Sequence, residues 1–153
     1  MKIIYKLYLS LVLMASMGAH AAGGGGAPAG GIGIHNYVPL NPAFVVNLRD
    51  GDALRFMQAT IQVMTYDTKV IEALQTHAAP IRHELMLLLS DQTVSGMYNV
   101  AHRTKVQEAA LAVVQNILAK YAGIKTSDQV ADAEGKQHPS SVKELYFTQM
   151  VIQ

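Results

Sequence analysis

Six histidines and no cysteine set the chemistry open to this chain of 153 residues. Without a thiol there is no disulfide, no cysteine nucleophile, no thiolate zinc site and no lipidated cysteine. Metal binding would fall to the histidines. His77 and His83 lie six residues apart on either side of Pro80, not at the i, i+4 spacing that puts two ligands on one helix face. Glu84 follows His83 directly, so the two side chains do not share a face. His102 and His138 stand alone in sequence. Surface or capping roles are expected of the histidines, and no metal site.

A hydrolase needs a nucleophile, a base and a group that orients the base. Ser90-Asp91 and Ser95-Gly96 are the nearest candidates, and neither sits in a G-x-S-x-G elbow. Acidic residues are scattered, so a working carboxylate pair has no support. The glycine-rich run from Gly23 to Gly33 would cradle a phosphate only between a strand and a helix, with G-K-[ST] or G-x-G-x-x-G spacing. An apolar leader precedes it, and Pro39 and Pro42 follow it. It reads as a flexible tether. Of the eight methionines, Met1, Met14 and Met17 fall in the leader, and the rest occupy core-like positions where they fill gaps. The chain is expected to be no enzyme and to hold no cofactor.

The length suits one domain with a real core, and a hydrophobic content of 50% excludes general disorder. A net charge of +1 argues against a nucleic-acid partner held by phosphate neutralisation. Lys2 and Lys6 begin the leader, Leu7 to Met17 form its apolar run, and Ala19-His20-Ala21 supplies an A-x-A cleavage pattern. The run falls short of the roughly 20 apolar residues that span a membrane. Residues 1–21 are therefore expected to be a cleaved signal peptide, with an uncleaved membrane anchor as the alternative. Residues 22–36 form the Gly-rich linker and residues 37–153 the folded domain.

The elements of that domain are read from periodicity. Ala43 to Leu48 and Arg55 to Tyr66 are strands joined by a turn at Asp50-Gly51. Met57, Ala59, Ile61 and Val63 share one face of the second strand; Gln58, Thr60 and Gln62 share the other. A short helix follows, capped by Asp67 or Thr68 and carrying Val70, Ile71 and Leu74. A second helix begins with Pro80 and carries Ile81, Leu85, Leu88 and Leu89, with Met86 and Leu87 off that stripe. Burial against the sheet is the plain expectation for it, and a partner the sharper one. A third helix runs from an Asn99 cap to about Tyr121 and stops at Gly123. Residues 124–141 read as an exposed loop. Val142 to Gln153 is β-forming and apolar on both faces, which suggests a strand inside a sheet covered on both sides. The order is β-β-α-α-α-β, an α+β fold in which a small antiparallel or mixed sheet packs with helices.

Several of these segments carry a resemblance. They are Tyr37-x-x-Leu40-x-Pro42-x-Phe44-Val45-Val46-Asn47-Leu48, Arg55-Phe56-Met57-Gln58, Pro80-Ile81-Arg82 followed by Leu88-Leu89-Ser90, and the close with Tyr146-Phe147-Thr148 and Val151-Ile152-Gln153. Taken in order they resemble the flagellar basal body-associated protein FliL family. The resemblance implies a single periplasmic domain of stomatin/prohibitin-like fold, held at the inner membrane and able to form a homo-oligomer or ring. It implies association with the flagellar stator of MotA–MotB type, and a non-enzymatic scaffold that supports motility and swarming. No catalytic, cofactor-binding or metal residues come with it. Phe44, Asn47, Leu48, Pro80, Arg82, Ser90, Arg103 and Phe147 are the assembly or structural signature. Two departures stand out. The leader looks cleavable, and Ala101-His102-Arg103 replaces the usual Glu-Gly-Lys, so a close approach dependent on glycine is lost there. The competing reading is a soluble periplasmic binding or chaperone-like module, which would need an enclosed apolar cavity.

Overall fold

The structure, a computed structural model, describes residues 30–153. The expected leader and residues 22–29 of the expected linker lie outside the described residues. The elements are β1 (Asn36–Pro39), β2 (Phe44–Asp50), β3 (Ala53–Thr65), α1 (Thr68–Thr76), α2 (Ala78–Ser90), α3 (Val94–Tyr98), α4 (Val100–Ile117), a π-helical turn (Leu118–Ala122), β4 (Gln129–Ala131), β5 (Gln137–Pro139) and β6 (Val142–Ile152).

The 13-residue β3 is the axis of the main sheet. β2 and β1 pair along one side of it, one after the other, and β6 along the opposite side, all antiparallel. The β2–β3 turn is a two-residue hairpin between Asp50 and Ala53, and Gly51 takes the positive φ of 60° that the turn requires. The expected period of two holds along β3. Met57, Ala59, Ile61 and Val63 are fully buried, as are Phe44 and Leu48 of β2, while Gln58 of the opposite face is exposed.

The helices cover the buried face. Val70 and Leu74 of α1, Ile81, Leu85 and Leu89 of α2, and Val106, Ala110 and Val114 of α4 close one core with the strands. Each large aliphatic side chain sequestered in this way contributes roughly 1.5–3 kcal/mol. Helix limits follow local chemistry. Asp67 caps α1 by accepting from the Lys69 N–H at 2.9 Å, and Asn99 caps α4 by accepting from the His102 N–H at 3.0 Å. Gly123, at φ 69°, ends the long helix after its π-helical turn. In α2 one stripe is buried, and Met86 and Leu87 face outward.

The α+β class with an antiparallel sheet packed on helices stands as expected; several details differ. Asn36–Pro39 forms a further strand ahead of the two expected ones. A short helix, α3, stands before the long one. α2 starts at Ala78, so Pro80 is its third residue, still in the first turn where an N–H has no partner within the helix. The expected loop over 124–141 contains the β4–β5 hairpin. The largest correction concerns the closing strand. β6 pairs with β3 alone and is an edge strand, with helices over one face only. Its outward apolar residues do not report a second covering layer; they belong to an exposed surface. Gly30 to His35, within the expected linker, lie against the domain. The Gly33 N–H donates to the Tyr66 carbonyl at 3.0 Å.

Candidate assembly surface

The eight signature residues occupy different environments. Phe44 is fully buried on the helix side of β2, and the Arg82 guanidinium lies 4.3 Å from its ring centroid. Arg82 Nη1 also donates to the carbonyls of Leu40 at 3.0 Å and Pro42 at 2.7 Å. One side chain of α2 thus staples the segment between β1 and β2. Leu48 is fully buried, and Phe147 is half-buried opposite Ile61. Arg103 Nη1 donates to the Met97 carbonyl at 3.1 Å, which ties α4 back to α3. Pro80 lines a groove of about 250 Å³ with Val113, Ile117 and Tyr121. Ser90 is exposed at the end of α2, and Asn47 is exposed in register with Phe56. Phe44 and Arg82 are brought together; the eight do not converge on a single site.

The outer face of the sheet was missed in the sequence. Val45 and Phe56 there are 62% and 60% exposed, and Leu54 and Val151 join them as exposed apolar residues. Val45, Gln58 and Val151 stand in one row across β2, β3 and β6, with Asn47, Phe56 and Gln153 in the next. A shallow hollow of about 230 Å³ lies among Val45, Phe56, Val151 and Gln153. The signal was available. Extending the Gln58–Gln62 period back along β3 puts Phe56 and Leu54 on the wet face. Lone exposed apolar residues are ordinary, whereas a contiguous cluster on a sheet face is a candidate contact surface.

A polar cluster occupies the opposite end of the sheet. Tyr66 packs between His35 and His138, with ring centroids at 5.0 and 4.9 Å, and its hydroxyl meets His35 Nε2 at 3.0 Å. His138 is buried against the surface expectation, and its Nε2 lies 2.9 Å from Asp132 Oδ2. Among the described residues, no three His, Asp or Glu side chains are grouped to hold a metal ion.

The family model for the flagellar basal body-associated protein FliL matches residues 37–153, most of the chain. The chain belongs to the FliL family. Its role is accordingly one associated with the flagellar basal body, in a family of accessory proteins. Comparison with curated proteins gives no match. No helix among the described residues is long and apolar enough to cross a membrane.

In this FliL domain the His138–Asp132 pair predicts a pH effect. The hydrogen bond from His138, then those from the backbone N–H groups of Lys136 and Glu134, hold the Asp132 carboxyl below its usual value of 3.8, against an opposing push from burial. A carboxyl depressed in the fold adds stability above its unfolded pKa. That stability is lost as the pH falls through the folded one. Asp132→Asn is therefore expected to lower stability from neutral pH down to about pH 5 and to converge on the parent chain in stronger acid. Urea unfolding across a pH series reads this. A gap of constant size down to the lowest pH would remove Asp132 from the acid response.

Proposed function

We infer that the chain is a non-catalytic scaffold of the flagellar motor, acting on the periplasmic side of the inner membrane. It supports the stator, of MotA–MotB type, through protein contacts, and so supports swimming and swarming. It works as a homo-oligomer, in the ring arrangement expected of a stomatin/prohibitin-like domain. Residues 1–21 bring it to the membrane as a signal or an anchor, and the following glycines tether the domain. The observation that carries this reading is the family match over residues 37–153. Two features of the domain support it. Phe44, Leu48, Arg82 and Arg103 are engaged in holding the fold, while the outer sheet face offers apolar side chains to a partner.

A binding or chaperone-like module would need a deep apolar pocket of about 300 Å³ or more. Four grooves among the described residues measure about 140 to 250 Å³ and are open, and no observation favours that alternative. Deletion of the gene in its flagellated host tests the proposal. Filaments should still assemble, while swimming in soft agar and swarming on a viscous surface weaken and return on complementation. Unchanged motility on both media would sink the stator role.

A further inference from the structure

The β2–β3–β6 part of the sheet has two open edges. Phe56 and Gln153 exchange both backbone hydrogen bonds, at 2.9 and 2.8 Å. In an antiparallel ladder such pairs alternate with non-bonded ones. Gln58–Val151 is the next bonded pair, so the N–H and C=O groups of Met150 and Ile152 point away from β3. On the other side the two-residue turn makes Asp50–Ala53 a bonded pair, followed by Leu48–Arg55, Val46–Met57 and Phe44–Ala59. The backbone groups of Val45, Asn47 and Arg49 therefore point outward. The Arg49 N–H does donate outward, to the Gln92 carbonyl, in agreement with this phase. Among the described residues nothing bonds the outward groups of Val45, Asn47, Met150 or Ile152.

Each edge is partly covered elsewhere. Gln107 and Gln115 of α4 donate to the carbonyls of Leu145 at 2.6 Å and Val142 at 2.8 Å, capping the first half of β6. Thr93 bridges to Arg49 beside β2. The open stretches lack the usual guards. Ala43 to Leu48 and Leu145 to Gln153 contain no charged residue and no proline.

The two edges also match each other. β2 and β6 both run antiparallel to β3, so they run parallel to one another. Copies repeated head to tail along the sheet would set β6 of one beside β2 of the next. The sheet register places Ile152 level with Met57 and Val46, and Val151 level with Gln58 and Val45. With that level carried across the junction, the Ile152 N–H meets the Val45 carbonyl of the next copy. The Ile152 carbonyl then meets that copy's Asn47 N–H. This is the slanted pattern of a parallel pair. Side chains agree in phase, because Ile152 and Val46 lie on the helix side and Val151 and Val45 on the outer face. The exposed apolar row then runs on from copy to copy. Neither edge carries a charge that would select an oppositely charged partner.

We propose that the chain assembles head to tail, the Met150–Ile152 edge of one copy adding as a strand to the Val45–Asn47 edge of the next. This supplies the contact for the homo-oligomer proposed above and rests on that reading. A contact between two different edges closes into a ring when the rotation per copy closes.

The absence of native cysteine makes disulfide mapping in the full chain direct. A chain carrying both Val45→Cys and Val151→Cys should oxidise to a ladder of dimers and larger species, while each single variant stays monomeric under denaturing electrophoresis. Self-linking of Val151→Cys alone, linking to a different protein, or no linking at all would overturn the proposal. Ile152→Pro removes an outward donor and no bond to β3. It should reduce the oligomer to monomer by light scattering with the melting temperature held within a few degrees. An oligomer of unchanged size rejects this edge and leaves self-assembly standing. A native chain that is itself monomeric rejects both.

Discussion

Phe44→Ala is expected to destabilise the domain by about 3–5 kcal/mol, the usual range for deleting a buried aromatic ring. Phe44 is fully buried, sits opposite Ala59 in the β2–β3 ladder, and has no larger cross-strand neighbour there to fill the space. The ring is also the platform for Arg82, whose guanidinium lies 4.3 Å from its centroid. Arg82→Ala should cost less, about 1.5–3 kcal/mol, through the loss of charge-assisted bonds to the Leu40 and Pro42 carbonyls. The two changes should not add. A coupling of about 0.5–2 kcal/mol is expected in a double-mutant cycle, read by urea unfolding, because the guanidinium and the ring share one contact. Strict additivity would mean that Arg82 acts on the carbonyls alone.

The pair also shows what was legible in the sequence. Phe44 and Arg82 were both singled out by resemblance, yet their contact spans 38 positions and nothing local forecasts it. What local chemistry governs was readable. The Asp50-Gly51 turn, the inward Met57–Val63 face, and the Asp67, Asn99 and Gly123 helix limits all follow from side-chain type and period. What failed was the inference from apolarity to burial for the closing strand. Val45, Phe56 and Val151 are as β-forming as core residues, and a strand cannot declare from its own sequence whether a second layer covers it. For β6 the two-faced apolar pattern suggested an interior strand, whereas it marks an edge with one dry and one wet face. Residues 124–141 misled in the opposite sense. Their polar side chains looked like loop, but His138 and Asp132 satisfy each other in a small hairpin. The proposed assembly surface was hidden for the same reason: the match of its two edges can be read only once the register of three strands is known.

Asn36→Ala should loosen the junction between the Gly30–His35 segment and the rest of the domain. Asn36 is only 4% exposed, and its side chain serves both segments. Nδ2 donates to the carbonyls of Gly31 at 2.9 Å, Ile34 at 3.1 Å and Thr65 at 3.2 Å, while Oδ1 accepts from the Gly31 N–H at 3.2 Å. Alanine leaves these groups unpaired, at about 1–3 kcal/mol. Much of that is relieved if Gly30 to His35 leave the domain and find water. The expected result is a modest drop in global stability together with new protease cuts in that segment, followed by mass analysis of the full chain. Gly33→Val provides an independent route to the same state. Gly33 sits at φ +81°, and an added Cβ would lie 2.5 Å from Asp132 Cβ, so any side chain there is strained and crowded. Undocking would free six residues, which span up to about 20 Å when extended. If both variants melt with the parent chain and resist the protease equally, Asn36 is not the latch.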